Sequence, residues 1–239
     1  MTTHLAVEPT QFVPRYGKGL RGLRIALTAL IVLGVAIGVT INIVELGPVL
    51  PLTAFTVQSN LLAGILALVT LLRTVGHRDD APTVYMMFKG MALSGVLLTF
   101  VIYNAVLRAT IAQTFTPAGR LANELLHVAV PLLVFVEFLV FEPHPSVRWW
   151  HPLSWAAFPW YYVAFTAVYT GLGGVYTSPV GTERFPYFFL DYITYGLPTV
   201  GLWVLLITIG FIATGYLLAG LDSLLGRFHR SPPTLAQDN

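Results

Sequence analysis

The stretch "FTVQSNLLAGILALVTLL", residues Phe55–Leu72, begins with a group of polar side chains and continues as an almost wholly apolar run. A helix that crosses ~30 Å of hydrocarbon needs about 20 mostly apolar residues, so this stretch predicts a membrane-spanning helix. Polar groups are costly inside hydrocarbon and are placed there for a reason. The position of Thr56, Gln58, Ser59 and Asn60 at one end predicts a polar site just beneath one face of a membrane.

The composition of the whole chain supports a membrane protein. Its 239 residues are 56% hydrophobic and only 10% charged, whereas soluble domains carry about 25% charged residues. The net charge of +2 gives no indication of a nucleic-acid partner. Because the chain has no cysteine, disulfides, iron–sulfur clusters, thiolate-zinc sites and a cysteine nucleophile are excluded.

Six windows are long and apolar enough to span, which predicts an all-α fold: a polytopic integral membrane protein built as a six-transmembrane-helix bundle. The first window is too long for the core of a signal peptide and no small-residue cleavage site follows it, so it is interpreted as a retained span. The windows are Leu23–Val44, Ala54–Leu72, Val84–Leu107, Leu121–Phe141, Leu153–Leu172 and Leu197–Leu221.

The basic residues at or beyond the ends of the spans predict the orientation of the bundle. Nine of them fall on one side of a six-span arrangement and three, Arg108, Arg120 and Arg184, on the other. By the positive-inside rule both termini are cytoplasmic. This gives a cytoplasmic basic N-terminal segment (residues 1–22), a six-transmembrane-helix domain (residues 23–221) and a cytoplasmic C-terminal tail (residues 222–239). The last part of that tail, "HRSPPTLAQDN", residues 229–239, is polar and expected to be disordered. The predicted location is the plasma membrane.

With this orientation, polar residues concentrate in the outer halves of the spans, which favours a polar pocket open to the outer side. The alternative is that polar residues drift toward interfaces, where their cost falls; it explains Asn60 and His127 less well, because both lie more than one turn inside. In the cytoplasmic halves, Lys89 and Glu137 lie at matching depths and are predicted to form an ion pair.

The pocket offers one combination of side chains with chemical potential, Thr56 and His127. At 1.5 Å per residue their depths match within the error of the span boundaries. A neutral imidazole can take the proton of a threonine hydroxyl as that hydroxyl attacks a carbonyl. Two alternatives stay open: Thr56 as the N-cap of its helix, and His127 as an interhelical hydrogen-bonding residue. His127 is the only histidine inside a span, which excludes a bis-histidine haem and argues against a multi-histidine metal site.

Other polar residues are candidates for binding the substrate. Asn60, Gln58 and Asn123 carry amides that can donate to a developing oxyanion, or can instead be packing partners. Arg108, Arg120 or Arg184 is a candidate cation for a fatty-acid carboxylate, with snorkelling to headgroups as the alternative. Asp191 is expected to pair with Arg184 or to orient His127.

Two segments carry a resemblance to a known family. "FTVQSN" opens a span with a threonine, and "NELLHVAVPLLVFVEFLVFEPH", residues 123–144, has Asn and His four residues apart, then Pro, Glu and a final Pro-His. The chain resembles the androgen-induced family of multi-span membrane proteins, which are threonine hydrolases of fatty acid esters of hydroxy fatty acids. The segments "FTVQSN" and "RFPYFFLD", residues 184–191, look closer still to a bacterial six-span branch. The resemblance implies that Thr56 is the nucleophile and His127 its base. The segment departs from the family pattern at Glu124 and Val128.

The sequence therefore predicts an intramembrane hydrolase that cleaves lipid esters, with a lipid ester in the bilayer as substrate and with no cofactor or metal. A non-catalytic lipid-binding or transport protein with the same cavity is the alternative. A structural subunit of a larger complex is a third possibility.

Overall fold

The structure, a computed structural model, describes residues 18–78, 83–111, 116–178 and 181–228. It is mostly helical, as predicted, and six helices organise it. They are α1 (Lys18–Leu46), α2 (Phe55–Val75), α3 (Thr83–Ile102), α4 (Pro117–Glu124 and Val130–Phe141, joined by a π-helical turn at Leu125–Ala129), α5 (Ala157–Gly171) and α6 (Leu197–Phe228).

Shorter elements complete the described chain. A second π-helical turn, Tyr103–Leu107, leads from α3 into the short helix Arg108–Ile111, and His151–Trp155 and Tyr192–Tyr195 are short helices. The 3-10 turns are Leu50–Thr53 and Phe188–Leu190. Strands Tyr176–Ser178 and Gly181–Glu183 form an antiparallel ribbon in which Tyr176 lies opposite Glu183.

Five helices in the described part of the chain are long and apolar enough to cross a membrane. The stretch predicted as the fifth span is divided between His151–Trp155 and α5. Pro159 explains the division, since it has no N–H to donate to the carbonyl of Trp155. With 15 residues, α5 is about 22 Å long, short of the ~30 Å of a hydrocarbon core.

The helix α1 packs against α2 and against both halves of α4, and α3 packs against α2, α4 and α6. Small residues permit this close approach. A Cβ at Gly38 would lie 2.7 Å from Cγ of Leu126, and a Cβ at Gly64 would lie 3.0 Å from Val35. These contacts place the start of α2 beside the π-helical turn of α4, which is the arrangement the candidate site requires.

A charged cluster, defined here as Arg24, Lys89, Glu137 and Glu142, lies at the opposite end of the bundle from that turn. The predicted ion pair is confirmed, with Lys89 Nζ 2.7 Å from Glu137 Oε2. Arg24 lies 3.2 Å from Glu137 and 3.1 Å from Glu142, and Lys89 also contacts Glu142. Two cations and two carboxylates thus neutralise each other, which is what burial of charges demands.

A second buried polar contact ties α6 to the loop after α4. Asp222 Oδ1 lies 2.6 Å from His144 Nδ1, and Asp222 Oδ2 accepts hydrogen bonds from the N–H groups of Ser146 and Val147 at 2.8 Å. Asp222 is wholly buried. These partners satisfy a carboxylate that the sequence assigns to the start of the cytoplasmic tail, at residue 222.

The helices extend past the predicted domain boundaries. The described part of α1 begins at Lys18, before residue 23, and α6 continues to Phe228, beyond residue 221. The predicted disordered tail from His229 onward lies outside the described residues, as does most of the N-terminal segment.

Candidate functional site

The first turn of α2 presents Thr56 to the interior of the bundle. Ala54 is the N-cap and has an extended backbone, with no side-chain capping bond. The interpretation of Thr56 as the helix cap is therefore wrong. The Thr56 hydroxyl makes no capping hydrogen bond to the start of α2. Instead, its Oγ1 lies 3.2 Å from His127 Nε2.

His127 lies in the π-helical turn of α4, which has an identifiable cause. The N–H of Val130 donates to the carbonyl of Leu125, five residues back. The next residue, Pro131, has no N–H, so the carbonyl of Leu126 is left without a backbone donor in its own helix. A π-helical turn of this kind is frequent at functional sites.

Asn60 supplies the hydrogen bond that the carbonyl of Leu126 does not receive from its own helix. Its Nδ2 donates to Leu126 O at 3.0 Å and to Thr56 O at 2.8 Å, and the residue is completely buried. One side chain of α2 thereby holds both the backbone of Thr56 and the residue before His127. The register of Thr56 against His127 follows from these two bonds.

The hydrogen bonds of His127 define its tautomer. Nδ1 lies 3.2 Å from the carbonyl oxygen of Asn123, which can only accept, so we assign the proton to Nδ1. Nε2 then carries a lone pair and accepts the hydrogen bond that the Thr56 hydroxyl donates. This is the form of the imidazole that can take a proton from the hydroxyl.

The hydroxyl and the imidazole stand in the wall of an otherwise apolar cavity between α2, α3, α5, α6 and the turn of α4. About 80 Å³ is open to the centres of water-sized molecules, several times the ~10–15 Å³ that one water needs. The walls are formed by Phe55, Thr56, Leu98, Thr99, Ile102, Tyr103, Leu107, His127, Pro159, Trp160, Tyr162, Val163, Tyr187, Phe189, Leu190, Val204, Ile207 and Thr208.

Two tyrosines next to the pair were not assigned a role from the sequence. The ring of Tyr103 lies over the imidazole of His127, with centroids 4.3 Å apart and planes inclined by 30°. Tyr187, in the connection between α5 and α6, brings its hydroxyl near that of Thr56, and burial raises the pKa of this phenol. The depth of Tyr103 at the end of the third predicted span matches that of His127, so this signal was present. Tyr187 lies in "RFPYFFLD", one of the segments that carry the resemblance, but no pattern in the sequence places its side chain in the cavity wall.

The amides predicted to face an oxyanion are engaged elsewhere, which corrects those assignments. Both N–H groups of Asn60 donate to backbone carbonyls. Gln58 Nε2 donates to Leu52 O at 3.0 Å. Asn123 Nδ2 donates to the Tyr103 hydroxyl, and none of the three lines the cavity.

The predicted carboxylate anchors also lie outside the cavity. Arg108 is half-exposed, 2.6 Å from Glu124 and 2.8 Å from Asn104. Arg184 is exposed, and its backbone carbonyl accepts a hydrogen bond from Thr170. No charged side chain appears among the residues that form the cavity wall in the described chain.

Asp191 neither orients His127 nor forms a salt bridge with Arg184 within the described residues. Its carboxylate caps the short helix Tyr192–Tyr195, accepting from the N–H groups of Ile193 at 3.0 Å and Thr194 at 2.9 Å. Hydrogen bonds from the side chain and the backbone N–H of Thr194, and a weaker contribution from the backbone N–H of Ile193, hold the pKa of this carboxyl below its ordinary value. An aspartate is a favoured N-cap, which explains its position.

The described residues offer no set of ligands for a metal ion. Among the described residues, no group of three or more histidine, cysteine, aspartate or glutamate side chains is close enough together to hold a metal ion.

Comparison of the chain with protein-family models, with curated proteins and with solved structures finds no match.

Proposed function

We propose that this chain is an intramembrane hydrolase of lipid esters, with Thr56 as nucleophile and His127 as general base. The supporting observation is the 3.2 Å contact between Thr56 Oγ1 and His127 Nε2 in the wall of an apolar cavity. The resemblance of "FTVQSN" and "NELLHVAVP" to the androgen-induced family of threonine hydrolases supports the same chemistry and makes fatty acid esters of hydroxy fatty acids one candidate substrate.

The first half of the reaction acylates the enzyme. His127 Nε2 takes the proton of Thr56 as Oγ1 forms a bond to the ester carbonyl carbon, whose π electrons move to the carbonyl oxygen. The tetrahedral oxyanion collapses and breaks the bond to the alcohol oxygen, which receives the proton from Nε2. The products are an acyl-threonine and a free alcohol.

The second half restores the threonine. A water molecule in the cavity gives a proton to His127 Nε2 as its oxygen bonds to the acyl carbon. Collapse of this second intermediate breaks the bond to Thr56 Oγ1, which takes the proton back. The carboxylic acid leaves, and neither half requires a cofactor.

Tyr187 is the donor we assign to the oxyanion. The hydroxyls of Thr99, Thr208 and Tyr162 in the cavity wall donate to backbone carbonyls at 2.8, 2.7 and 3.0 Å. The Tyr187 hydroxyl lies near the Thr56 hydroxyl, and its raised pKa keeps its proton in place. A donor at that position faces the carbonyl oxygen of an ester under attack by Thr56.

We further propose that the chain crosses the plasma membrane six times with both termini in the cytoplasm, because nine basic residues then fall inside and three outside. In this topology, His151–Trp155 and α5 together form the fifth crossing. The chain has no cysteine, so single cysteines report topology directly. Val75→Cys and Leu172→Cys, both at exposed positions, are expected to react with an impermeant maleimide from inside and from outside respectively. Reaction of both from one side would overturn this topology.

The second candidate is a protein that binds or transports lipids without chemistry. It is favoured by the same cavity, whose wall exposes mostly apolar surface, as lipid sites require. Such a protein would retain bound lipid when Thr56 is replaced and would show no turnover in either form.

The experiment measures hydrolysis of an uncharged long-chain acyl ester by the purified protein in mild detergent. Thr56→Ala is expected to abolish turnover. Thr99→Ala is the matched control, because Thr99 lines the same cavity while its hydroxyl only donates to Val96 O, and it is expected to retain activity. Equal activity in parent and Thr56→Ala protein would refute the assignment of the nucleophile.

A further inference from the structure

The imidazole of His127 is held from two directions by residues of two helices. On one face, the Tyr103 ring lies 4.3 Å away between centroids, at 30°. At its edge, Nδ1 lies 3.2 Å from the backbone carbonyl of Asn123. Offset aromatic contacts of this kind have preferred geometries, so together the two contacts restrict both the tilt and the in-plane rotation of the ring.

The two holding residues are themselves connected. Asn123 Nδ2 donates to the Tyr103 hydroxyl across the interface between α3 and α4. Tyr103 is 1% and Asn123 7% exposed, so water does not compete for this bond. The ring above the imidazole and the carbonyl at its edge therefore form one unit, in which a shift of either residue is opposed by the other.

Both helices have irregular backbone at this unit. The N–H of Arg108 donates to Tyr103 O, and the N–H of Val130 donates to Leu125 O, in each case five residues back. Tyr103 opens one π-helical turn and His127 lies at the centre of the other. Such turns are rare and concentrate at functional sites, and here two of them face each other.

An ion pair between Arg108 and Glu124 lies next to Tyr103 and Asn123. The Arg108 guanidinium lies 5.9 Å from the centroid of the Tyr103 ring and pairs with Glu124 on α4. Asn104, next to Tyr103, accepts a hydrogen bond from Arg108. This contact joins the same two helices one turn beyond the imidazole, on the side away from the cavity.

We propose that Tyr103 and Asn123 are positioning residues that hold the His127 imidazole in the Nδ1–H tautomer with Nε2 directed at Thr56. The hydrogen-bond acceptor at Nδ1 selects the tautomer, and the tyrosine ring keeps the imidazole plane in register with that acceptor. In the other tautomer, Nε2–H would donate to Thr56 Oγ1 and no base would face the hydroxyl. The catalytic consequence of this inference rests on the proposed function, whereas the tautomer itself does not.

The direct test is nitrogen NMR of protein carrying ¹⁵N-labelled histidine in detergent, with the His127 signals assigned by their absence in His127→Gln. The parent is expected to show a protonated Nδ1 and an unprotonated Nε2. Tyr103→Leu, which removes ring and hydroxyl, is expected to increase the share of Nε2–H. Tyr103→Phe, which retains the ring, is expected to lie closer to the parent.

A second measurement separates positioning from packing. A fluorophosphonate probe with an alkyl tail phosphonylates a reactive hydroxyl: the oxygen bonds to phosphorus as fluoride leaves. The kinetics of this reaction give a binding constant and a maximal rate of modification. Tyr103→Leu is expected to lower the maximal rate about tenfold, the size of a lost aromatic contact, with a smaller change in the binding constant, to which Tyr103 contributes as one of many wall residues. Tyr103→Phe is expected to recover most of that rate. Tyr216→Leu, at an exposed tyrosine of α6, is the control and is expected to match the parent.

Each outcome decides the proposal. An Nε2–H tautomer in the parent overturns it, as does a Tyr103→Leu protein whose tautomer and maximal rate equal those of the parent. If Tyr103→Leu does not fold, Tyr103→Met, which also removes the ring, takes its place. A larger share of Nε2–H together with a lower maximal rate in that variant supports the proposal, and a parent-like tautomer and rate overturn it. Modification of Thr56→Ala at the parental rate would instead refute the nucleophile, while the NMR result would still stand for the position of the imidazole.

Discussion

The two ends of the bundle solve the burial of polar groups in different ways. In the charged cluster, both cations contact both carboxylates, and the side chains are between 2% and 11% exposed. The cavity beside this cluster has a volume of only about 20 Å³, whereas the cavity beside His127 has a volume of about 80 Å³. At the His127 end, a single neutral pair faces the larger space.

The difference separates structural from chemical roles. Charges buried in mutual contact have their interactions satisfied within the protein, and removing one partner leaves the others uncompensated. Thr56 and His127 form a neutral pair beside an open cavity, and under the proposed function the lone pair and the proton of this pair serve acyl transfer. Substitutions at the two ends should therefore affect different observables.

The largest effect is expected from His127→Gln. Glutamine retains a polar side chain of similar reach but has no basic nitrogen, so the rate of acylation of Thr56 is expected to fall by about 10²–10⁴. The free energy of unfolding is expected to change by only about 1 kcal/mol. Rates of ester cleavage and thermal unfolding of the same preparations measure both, and a rate within threefold of the parent would contradict the assigned base.

Glu137→Gln is expected to act on stability. It leaves two cations facing one carboxylate in a buried cluster, at a cost of about 3–5 kcal/mol in the free energy of unfolding. Activity per folded molecule is expected to stay near the parental value, because the cluster lies at the other end of the bundle.

Glu124→Gln is the matched control for that substitution. Glu124 is 46% exposed and pairs with Arg108, so its loss is expected to cost less than about 1 kcal/mol. Unfolding in graded denaturing detergent compares the two variants, and equal losses would show that the charged cluster is not a special source of stability.

Tyr187→Phe is expected to lower the rate of ester cleavage about a hundredfold, the effect of removing one oxyanion donor. The aromatic ring and its contact with Phe189, 5.0 Å between centroids, remain in the variant. Stability and lipid binding should therefore be retained, and the loss should appear in kcat. A variant with parental kcat would remove Tyr187 from the reaction.

A smaller loss of stability than that of Glu137→Gln is expected from Asn60→Ala, which removes the donor to the carbonyls of Leu126 and Thr56. Loss of donors to buried carbonyls costs about 1–3 kcal/mol, and the register of Thr56 against His127 should loosen. Ser94→Ala is the control, because the buried Ser94 hydroxyl makes no hydrogen bond in the described structure and its removal should be nearly neutral. Equal stability of the two variants would show that Asn60 does not support the π-helical turn.

Much of this architecture is readable from apolar length and from matched depth. The windows around Leu23–Val44 and Leu197–Leu221 correspond to long helices, and the depths of Lys89 and Glu137 predicted their contact. Arg24 and Glu142 were not predicted to join that pair, because each lies at a predicted span edge, where snorkelling is an equally good account of a charge. Whether such a charge joins the buried cluster or snorkels to the membrane surface depends on how closely the helices pack, and close packing depends on small residues such as Gly38.

The details of the site depend on backbone irregularity that depth arguments do not contain. Asn60 and Asn123 have the residue type of an oxyanion donor, but Pro131 and the π-helical turn it accompanies create open carbonyls and shifted side chains that use these amides. Tyr187 reaches the cavity from a connection whose path no periodic pattern predicts. The length of α5 was overestimated for a related reason, since Pro159 interrupts an otherwise continuous apolar window.

The most direct test of the account is to locate a covalent adduct. Purified protein is treated with a fluorophosphonate or an acylating ester probe, digested, and sequenced by mass spectrometry. The account predicts modification on the oxygen of Thr56, absent from Thr56→Ala protein and strongly reduced in His127→Gln protein. Modification at another residue, or labelling that persists unchanged in Thr56→Ala protein, would contradict it.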